Sequence, residues 1–289
     1  MSQTRPTIGV FDSGFGGLTV LRTLLSTLPN ADYVYIGDTA RLPYGSKSAE
    51  TVSRATLSAA HFLIEQGAEI LVIACNTASA LAMPTLQREL SIPVIGVIEP
   101  GAAAAANAKG SDSATDASVL VLATEATVAS KAYTRACAAH GLTATEKACP
   151  LLVPLIEEGW IDHTVTEQVA EIYLREALTA IADAQDKSPS GKPTALLPTV
   201  LLLGCTHYPL LSSLLHRTAE ALAPGIQLID SADATAAHVA LLLPQATKSN
   251  EQQPVLRFYA TDSIQKFARL GSHFLGQDLG TVTLVSLPD

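Results

Sequence analysis

Strand-like apolar runs alternate with helical patterns along nearly the whole of this chain, and that alternation limits the fold more than any other feature. The runs fall at 7–11, 33–36, 70–74, 94–97, 119–123, 200–204, 227–230 and 255–260. Between them, apolar residues recur at helical spacing over 18–28, 48–66, 78–90, 127–140, 165–184 and 210–222. Continuous apolar strands separated by helices build mainly parallel sheets flanked by helices on both faces, so the expected class is α/β.

The 289 residues suffice for two ordinary domains with substantial cores. Glu99-Pro100-Gly101 reads as a crossing point between two lobes, and the chain is expected to return to the first lobe shortly after Cys205. The expected division is a discontinuous first lobe, 1–99 plus 209–289, and a second lobe at 100–208. Three polar stretches, 109–116, 186–192 and 245–253, read as surface insertions.

Composition removes several classes of function. Apolar residues make up 48% and charged ones 16%, which favours a buried core over disorder. The net charge of −9 comes without any Lys/Arg-rich tract, which speaks against nucleic acid or an anionic membrane surface as partner. It also repels an acidic ligand at long range, so such a ligand has to be captured by local donors. The polar start of the chain lacks the apolar core of a signal peptide, and no apolar run approaches the ~20 residues of a membrane helix. Four cysteines without a close C-x-x-C pair point to reduced thiols in the cytoplasm, not to disulfides or a zinc knuckle.

Two segments carry the chemistry. ACNTAS (74–79) and LGCTHYP (203–209) each place a cysteine at the end of an apolar strand and before a helical pattern. In α/β proteins ligands bind beyond the carboxyl ends of strands. A thiol at a helix N-terminus is expected to titrate below its ordinary value of about 8.5. Cys75 and Cys205 can therefore serve one substrate as an acid on one side of a carbon and a base on the other. Cys137 and Cys149 have no such setting, and Cys137, in mid-helix, reads as a packing residue.

Other residues complete a candidate pocket. Asn76, Thr77 and Thr206 offer neutral donors beside the two sulfurs. His207 can tune Cys205, donate to substrate, or form part of a Cys-x-His metal pair, although no second ligand pair lies nearby in sequence. FDSGFGG (11–17) follows a strand but lacks the third glycine of a dinucleotide turn, and Asp12 would repel a phosphate there. Asp12 and Ser13 then either grip a substrate group or cap the next helix. GDTARLPYG (37–45) brings Tyr44 and Gly45 to a loop after a strand, and ATEAT (123–127) brings Thr124 and Thr127, which can line the site or cap a helix.

FDSGFGGL, GDTARLPYG, ACNTAS, IEPG (98–101), ACPLLVPLIEEG (148–159) and LGCTHYPLL closely resemble, in order, the blocks of the bacterial glutamate racemase family. The resemblance implies two pseudo-symmetric lobes with the active site in the cleft between them, and no cofactor or metal. It implies racemisation of L- and D-glutamate by a two-base mechanism, supplying D-glutamate for peptidoglycan. Cys75 then acts on D-glutamate and Cys205 on L-glutamate. Asp12, His207 and Glu157 assist them, with Glu158 as the neighbouring alternative to Glu157. Substrate contacts fall on Asp12, Ser13, Tyr44, Gly45, Asn76, Thr77, Thr124, Thr127, Thr206 and His207. A cytoplasmic homodimer is also implied. The insertions and the tail beyond about Ser263 depart from the common pattern. Competing functions are a cysteine-nucleophile amidase, a binding protein for a small acidic amino acid, and an aspartate racemase.

Overall fold

Parallel strands with strongly buried centres, among them ILVI at Ile70–Ile73 and VLLLG at Val200–Gly204, give this protein two separate sheets. The computed structural model describes residues 5–108, 118–186, 197–247 and 253–288. The polar stretch 109–116 lies outside them, as do 187–192 and 248–252 of the other two.

The chain begins with β1 (Thr7–Asp12), α1 (Leu18–Thr27), β2 (Asp32–Gly37), α2 (Ala49–Glu65), β3 (Ile70–Ile73), α3 (Asn76–Leu81), α4 (Met83–Glu89) and β4 (Val94–Gly96). Next come α5 (Ile98–Ala108), β5 (Ser118–Ala123), α6 (Glu125–Ser130), α7 (Ala132–Ala139), β6 (Thr143–Ala148), α8 (Leu152–Glu157) and α9 (Thr164–Asp186). They are followed by β7 (Val200–Gly204), α10 (Ser212–Leu222), β8 (Gln227–Asp230) and α11 (Ser231–Leu242). The last part holds β9 (Leu256–Ala260), α12 (Ile264–Leu275) and β10 (Val282–Leu284).

Among the described residues one sheet has the order β10-β9-β2-β1-β3-β4 and the other β6-β5-β7-β8, with every neighbouring pair parallel. This is the α/β architecture expected from the alternation. Strands β3, β5 and β7 are buried at every residue, as interior strands covered on both faces must be. Each fully buried leucine of β7 stabilises the fold by roughly 1.5–3 kcal/mol. One apolar core is continuous between the sheets, running from Ile8, Val10 and Val72 to Leu120, Leu201 and Leu203, and α1 packs against α11 across it.

Several boundaries differ from those expected. Strand β8 pairs with β7, so by sheet membership the chain re-enters the first sheet at Leu256, after β8, and not at 209. Edge strand β6, TATEKA, was not foreseen because its half-buried positions carry Thr, Glu and Lys in place of an apolar run. Glu99-Pro100-Gly101 does stand where the chain passes from β4 of the first sheet toward β5 of the second, in the first turn of α5, where a proline needs no donor. The helical pattern over 78–90 breaks at Ala82, with a proline in the first turn of α4. The pattern over 127–140 breaks at Lys131, whose backbone is left-handed with φ 58°. Among the described residues no helix is long and apolar enough to cross a membrane.

Candidate active site

The carboxyl ends of strands from both sheets line one cavity of about 440 Å³. Ser13 follows β1, and Cys75, Asn76 and Thr77 follow β3; across from them lie Thr124 after β5, Cys149 after β6, and Cys205, Thr206 and His207 after β7. Tyr44 and Gly45 close a further part of the wall. The two cysteines singled out from the sequence thus meet in one space, each almost fully buried.

Cys75 is the N-cap residue of α3, and its Sγ donates to Ser13 Oγ at 3.5 Å. Burial, followed by the charge of Asp12, pushes the thiol up from 9.0 to about 11. Backbone N–H groups of Ala78 and Ser13 work in the opposite direction and lose. Cys205 is also raised, chiefly by burial, against the N–H of His207. The expected lowering is therefore corrected: taking a thiolate out of water outweighs the pull of nearby N–H dipoles. Nor does Cys205 start a helix. A short 3-10 turn, Tyr208–Leu211, follows it, and α10 begins only at Ser212.

Asp12 does not line the cavity. It is 1% exposed and sits behind the wall, where Oδ2 accepts from the Gly14 N–H at 2.9 Å and Oδ1 accepts from Thr206 Oγ1 at 3.5 Å. Burial raises its carboxyl, opposed by the charge of His207 and by the turn's N–H groups. It braces the glycine turn, while Gly17 stands at the N-cap of α1. A side chain at Gly16 would overlap Thr206 Oγ1 and come within 2.5 Å of His207 Nδ1, so glycine there lets the Cys205 segment approach the first sheet.

His207 Nδ1 lies 4.0 Å from Cys205 Sγ, and its Nε2 lies 3.4 Å from Glu157 Oε1. Lys266 donates to the other Glu157 oxygen at 3.1 Å. Burial works upward on the Glu157 carboxyl, but His207 and Lys266 together outweigh it and hold it below its ordinary value. Glu158 lines the cavity as well, but the contact with His207 belongs to Glu157. Phe15 and Phe274 pack on the imidazole with ring centroids 5.8 and 5.0 Å away.

The neutral donors form two groups. Thr77 and Thr124 share a hydrogen bond of 2.9 Å across the cavity wall, and Thr127 joins both hydroxyls from behind, fully buried and not lining the space. Thr124 also accepts from the Thr127 N–H as the N-cap of α6, so it caps and lines at once. Asn76 is 2% exposed; its Oδ1 accepts from the Tyr133 hydroxyl at 2.6 Å, while its Nδ2 is buried without a partner. A buried donor of this kind costs about 1–3 kcal/mol unless something accepts from it.

Among the lining residues the sequence reading does not single out are Cys149, Lys266 and Tyr208. Cys149 follows β6 as Cys75 follows β3 and Cys205 follows β7, but β6 has no apolar run to announce it. Lys266 belongs to α12, in the tail that departs from the family blocks. Tyr208 was readable only as part of a motif; its hydroxyl donates to the carbonyls of Ala123 and Cys149, tying three strand ends together.

Two parallel α/β sheets whose strand ends bring a pair of thiols to one cavity define a class of racemases. The model of the Asp/Glu/Hydantoin racemase family matches residues 8–239, and the chain belongs to that family. A curated glutamate racemase from Koribacter versatilis is 49% identical to it, covering 99% of each chain. A crystal structure of a glutamate racemase isoform from Bacillus anthracis is 34% identical, with a TM-score of 0.82 over 98% of each chain. The glutamate racemase of Francisella tularensis, crystallised with D-glutamate, is 35% identical, with a TM-score of 0.79 over 98% of this chain and 97% of that one.

Proposed function

We propose that this protein interconverts L- and D-glutamate, with Cys75 and Cys205 as the two opposed proton-transfer groups and no cofactor. One observation carries the reading: two nearly buried cysteines, from the ends of strands in different sheets, line the same small cavity. The glutamate racemase relatives support glutamate as substrate and the supply of D-glutamate for peptidoglycan. By the same resemblance it works in the cytoplasm as a homodimer.

Inversion requires a proton to leave one face of the α-carbon and another to arrive on the opposite face. In one direction Cys75, as thiolate, takes the α-proton of D-glutamate, and Cys205, as thiol, gives its proton to the other face. Product L-glutamate leaves behind a Cys75 thiol and a Cys205 thiolate. The reverse reaction starts from that state. Burial keeps both sulfurs protonated at neutral pH, so one thiol must first lose its proton. Asp12 behind Cys75 and His207 beside Cys205, steadied by Glu157, are the groups we assign to receive it.

Charge grows on the α-carboxylate as the α-proton leaves. Asn76, Thr77 and Thr206 are the donors assigned to it, together with Ser13 and Thr124 around the substrate, while Tyr44 and Gly45 shape the far wall. Where bound substrate displaces water from the cavity, such donors act more strongly than in solution. Thr127 serves from behind, through Thr77 and Thr124.

Circular dichroism with L-glutamate, D-glutamate and both aspartates tests the substrate, with loss of signal expected for the glutamates alone. Solvent deuterium incorporation in Cys75→Ser and Cys205→Ser tests the two thiols. Each variant should lose racemisation, and unchanged racemisation in either one would refute the two-thiol scheme.

A further inference from the structure

Tyr133 touches the chain neighbours of both cysteines. Its side chain is fully buried on α7, in the core beneath the second sheet. The hydroxyl donates at 2.6 Å to Oδ1 of Asn76, the residue after Cys75. The ring lies against Gly204, the residue before Cys205: a Cβ there would stand 3.0 Å from Tyr133 Cε2. The opposite ring edge faces Gly101 of α5, where a Cβ would stand 3.7 Å from Cε1. Glycines at both places leave room for an aromatic ring that runs from the second sheet to the first.

The hydrogen bond takes up the oxygen side of the Asn76 amide. With its oxygen held by Tyr133, the amide keeps its Nδ2 as an unused buried donor on a residue that lines the cavity. Were the amide to turn over, a carbonyl oxygen would stand in that place, and an oxygen there cannot donate to a carboxylate.

We propose that Tyr133 is a positioning residue for racemisation. It holds the Asn76 amide as a substrate donor and sets the Cys75 turn against the Cys205 strand through one rigid side chain. The proposal rests on the two-thiol reading above.

The test is a double-mutant cycle of Tyr133→Phe and Asn76→Ala, with kcat, KM and Tm measured for each variant. Y133F keeps the ring and removes only the donor. Its KM for glutamate is expected to rise about three- to tenfold, the worth of one ordinary hydrogen bond, with a smaller fall in kcat. In the N76A background the same substitution should change KM less than about twofold, because the hydroxyl acts through the amide. Unchanged kinetics in Y133F, or effects that multiply independently in the double variant, would overturn the proposal. 4-Aminophenylalanine at position 133 restores a donor at the same place and gives a check that does not depend on Y133F folding. It should keep KM within about twofold of the parent, and a KM raised as far as in N76A would overturn the proposal. Failure of the underlying reading looks different, since racemisation would then survive in C75S or C205S whatever Tyr133 does.

Discussion

His207 and Glu157 face each other at 3.4 Å, Nε2 to Oε1, on the Cys205 side of the cavity. Glu157 comes from the end of α8 and His207 from the segment after β7. Lys266 completes the chain from α12, which belongs with the first sheet. The carboxylate is therefore shared between the imidazole and an ammonium from the other half of the molecule.

Replacing Glu157 by Gln removes the charge that both partners share. We expect kcat/KM to fall roughly tenfold, about 1.4 kcal/mol, on losing the charge that faces the buried imidazole. L- and D-glutamate have equal free energies, so kcat/KM must fall equally in both directions. The individual kcat values are free to diverge, because Glu157 stands on the Cys205 side of the cavity only. Lys266→Met should cost less, since the lysine is half-exposed and such pairs contribute about 0–1 kcal/mol. Steady-state kinetics from each enantiomer check both statements, and identical losses in E157Q and K266M would contradict them.

The same carboxylate contributes to stability with a definite sign. Its folded pKa lies below the ordinary 4.5, so its stabilising contribution is complete above that pH and is lost as pH falls through the folded value. Melting temperatures of the parent and E157Q should therefore converge only as pH falls below that folded value. A gap that persists into stronger acid would show that Glu157 acts through packing.

Cys75 should be slow to alkylate at neutral pH. With its thiol pushed up to about 11, the reactive thiolate is scarce at pH 7, and the rate with iodoacetamide should climb about tenfold per pH unit toward that value. Glutamate should protect it. Mass spectrometry of the labelled peptide follows the rate, and a plateau already reached by pH 8 would contradict the burial argument.

The parts of this site legible in the sequence are those where an apolar interior strand ends in a reactive residue. Cys75 and Cys205 follow β3 and β7, whose continuous Ile, Leu and Val residues mark them as interior strands. Cys149 stands in the same relation to β6, but an edge strand is wetted and written in Thr, Glu and Lys, so its end went unseen. The return to the first sheet was misplaced for a related reason. β8 is a half-buried edge strand that only its pairing with β7 assigns. Lys266 carried no signal, because its role depends on where α12 folds. The direction of the thiol shifts needed three dimensions too. The sequence displays the helix that lowers a pKa, whereas the depth of burial that raises it comes from the assembled lobes.

Gly16→Ala tests the approach of the two halves. The added methyl would collide with Thr206 and His207, whose main chain is tied down by Thr19 Oγ1 donating to Thr206 O at 3.0 Å. We expect a loss of about 1–3 kcal/mol, as for overpacking of a tight core, and a fall in kcat larger than the change in KM. Denaturant melts and kinetics measure the two effects. Parent-like stability with parent-like kcat would mean that the Cys205 segment yields more readily than its contacts imply.

Asp230 provides a stability test away from the reacting groups. It ends β8 and caps α11, with Oδ1 accepting from the Ala232 N–H at 2.8 Å. Burial nonetheless raises its carboxyl from 3.8 to about 6, ahead of the opposing hydrogen bond. The sign is the reverse of that for Glu157. The unfolded chain ionises first as pH rises, so the folded state loses stability between pH 3.8 and about 6 and recovers none of it above. Asp230→Asn keeps an oxygen for the cap and removes the ionisation. Near pH 7.5 it should stabilise the protein by about 1–3 kcal/mol. Below pH 4 the variant and the parent should melt together, because both then carry a neutral cap. Chemical denaturation at the two pH values decides the matter. A D230N variant less stable than its parent at pH 7.5 would mean that the carboxylate's charge at the start of α11 outweighs the cost of burying it.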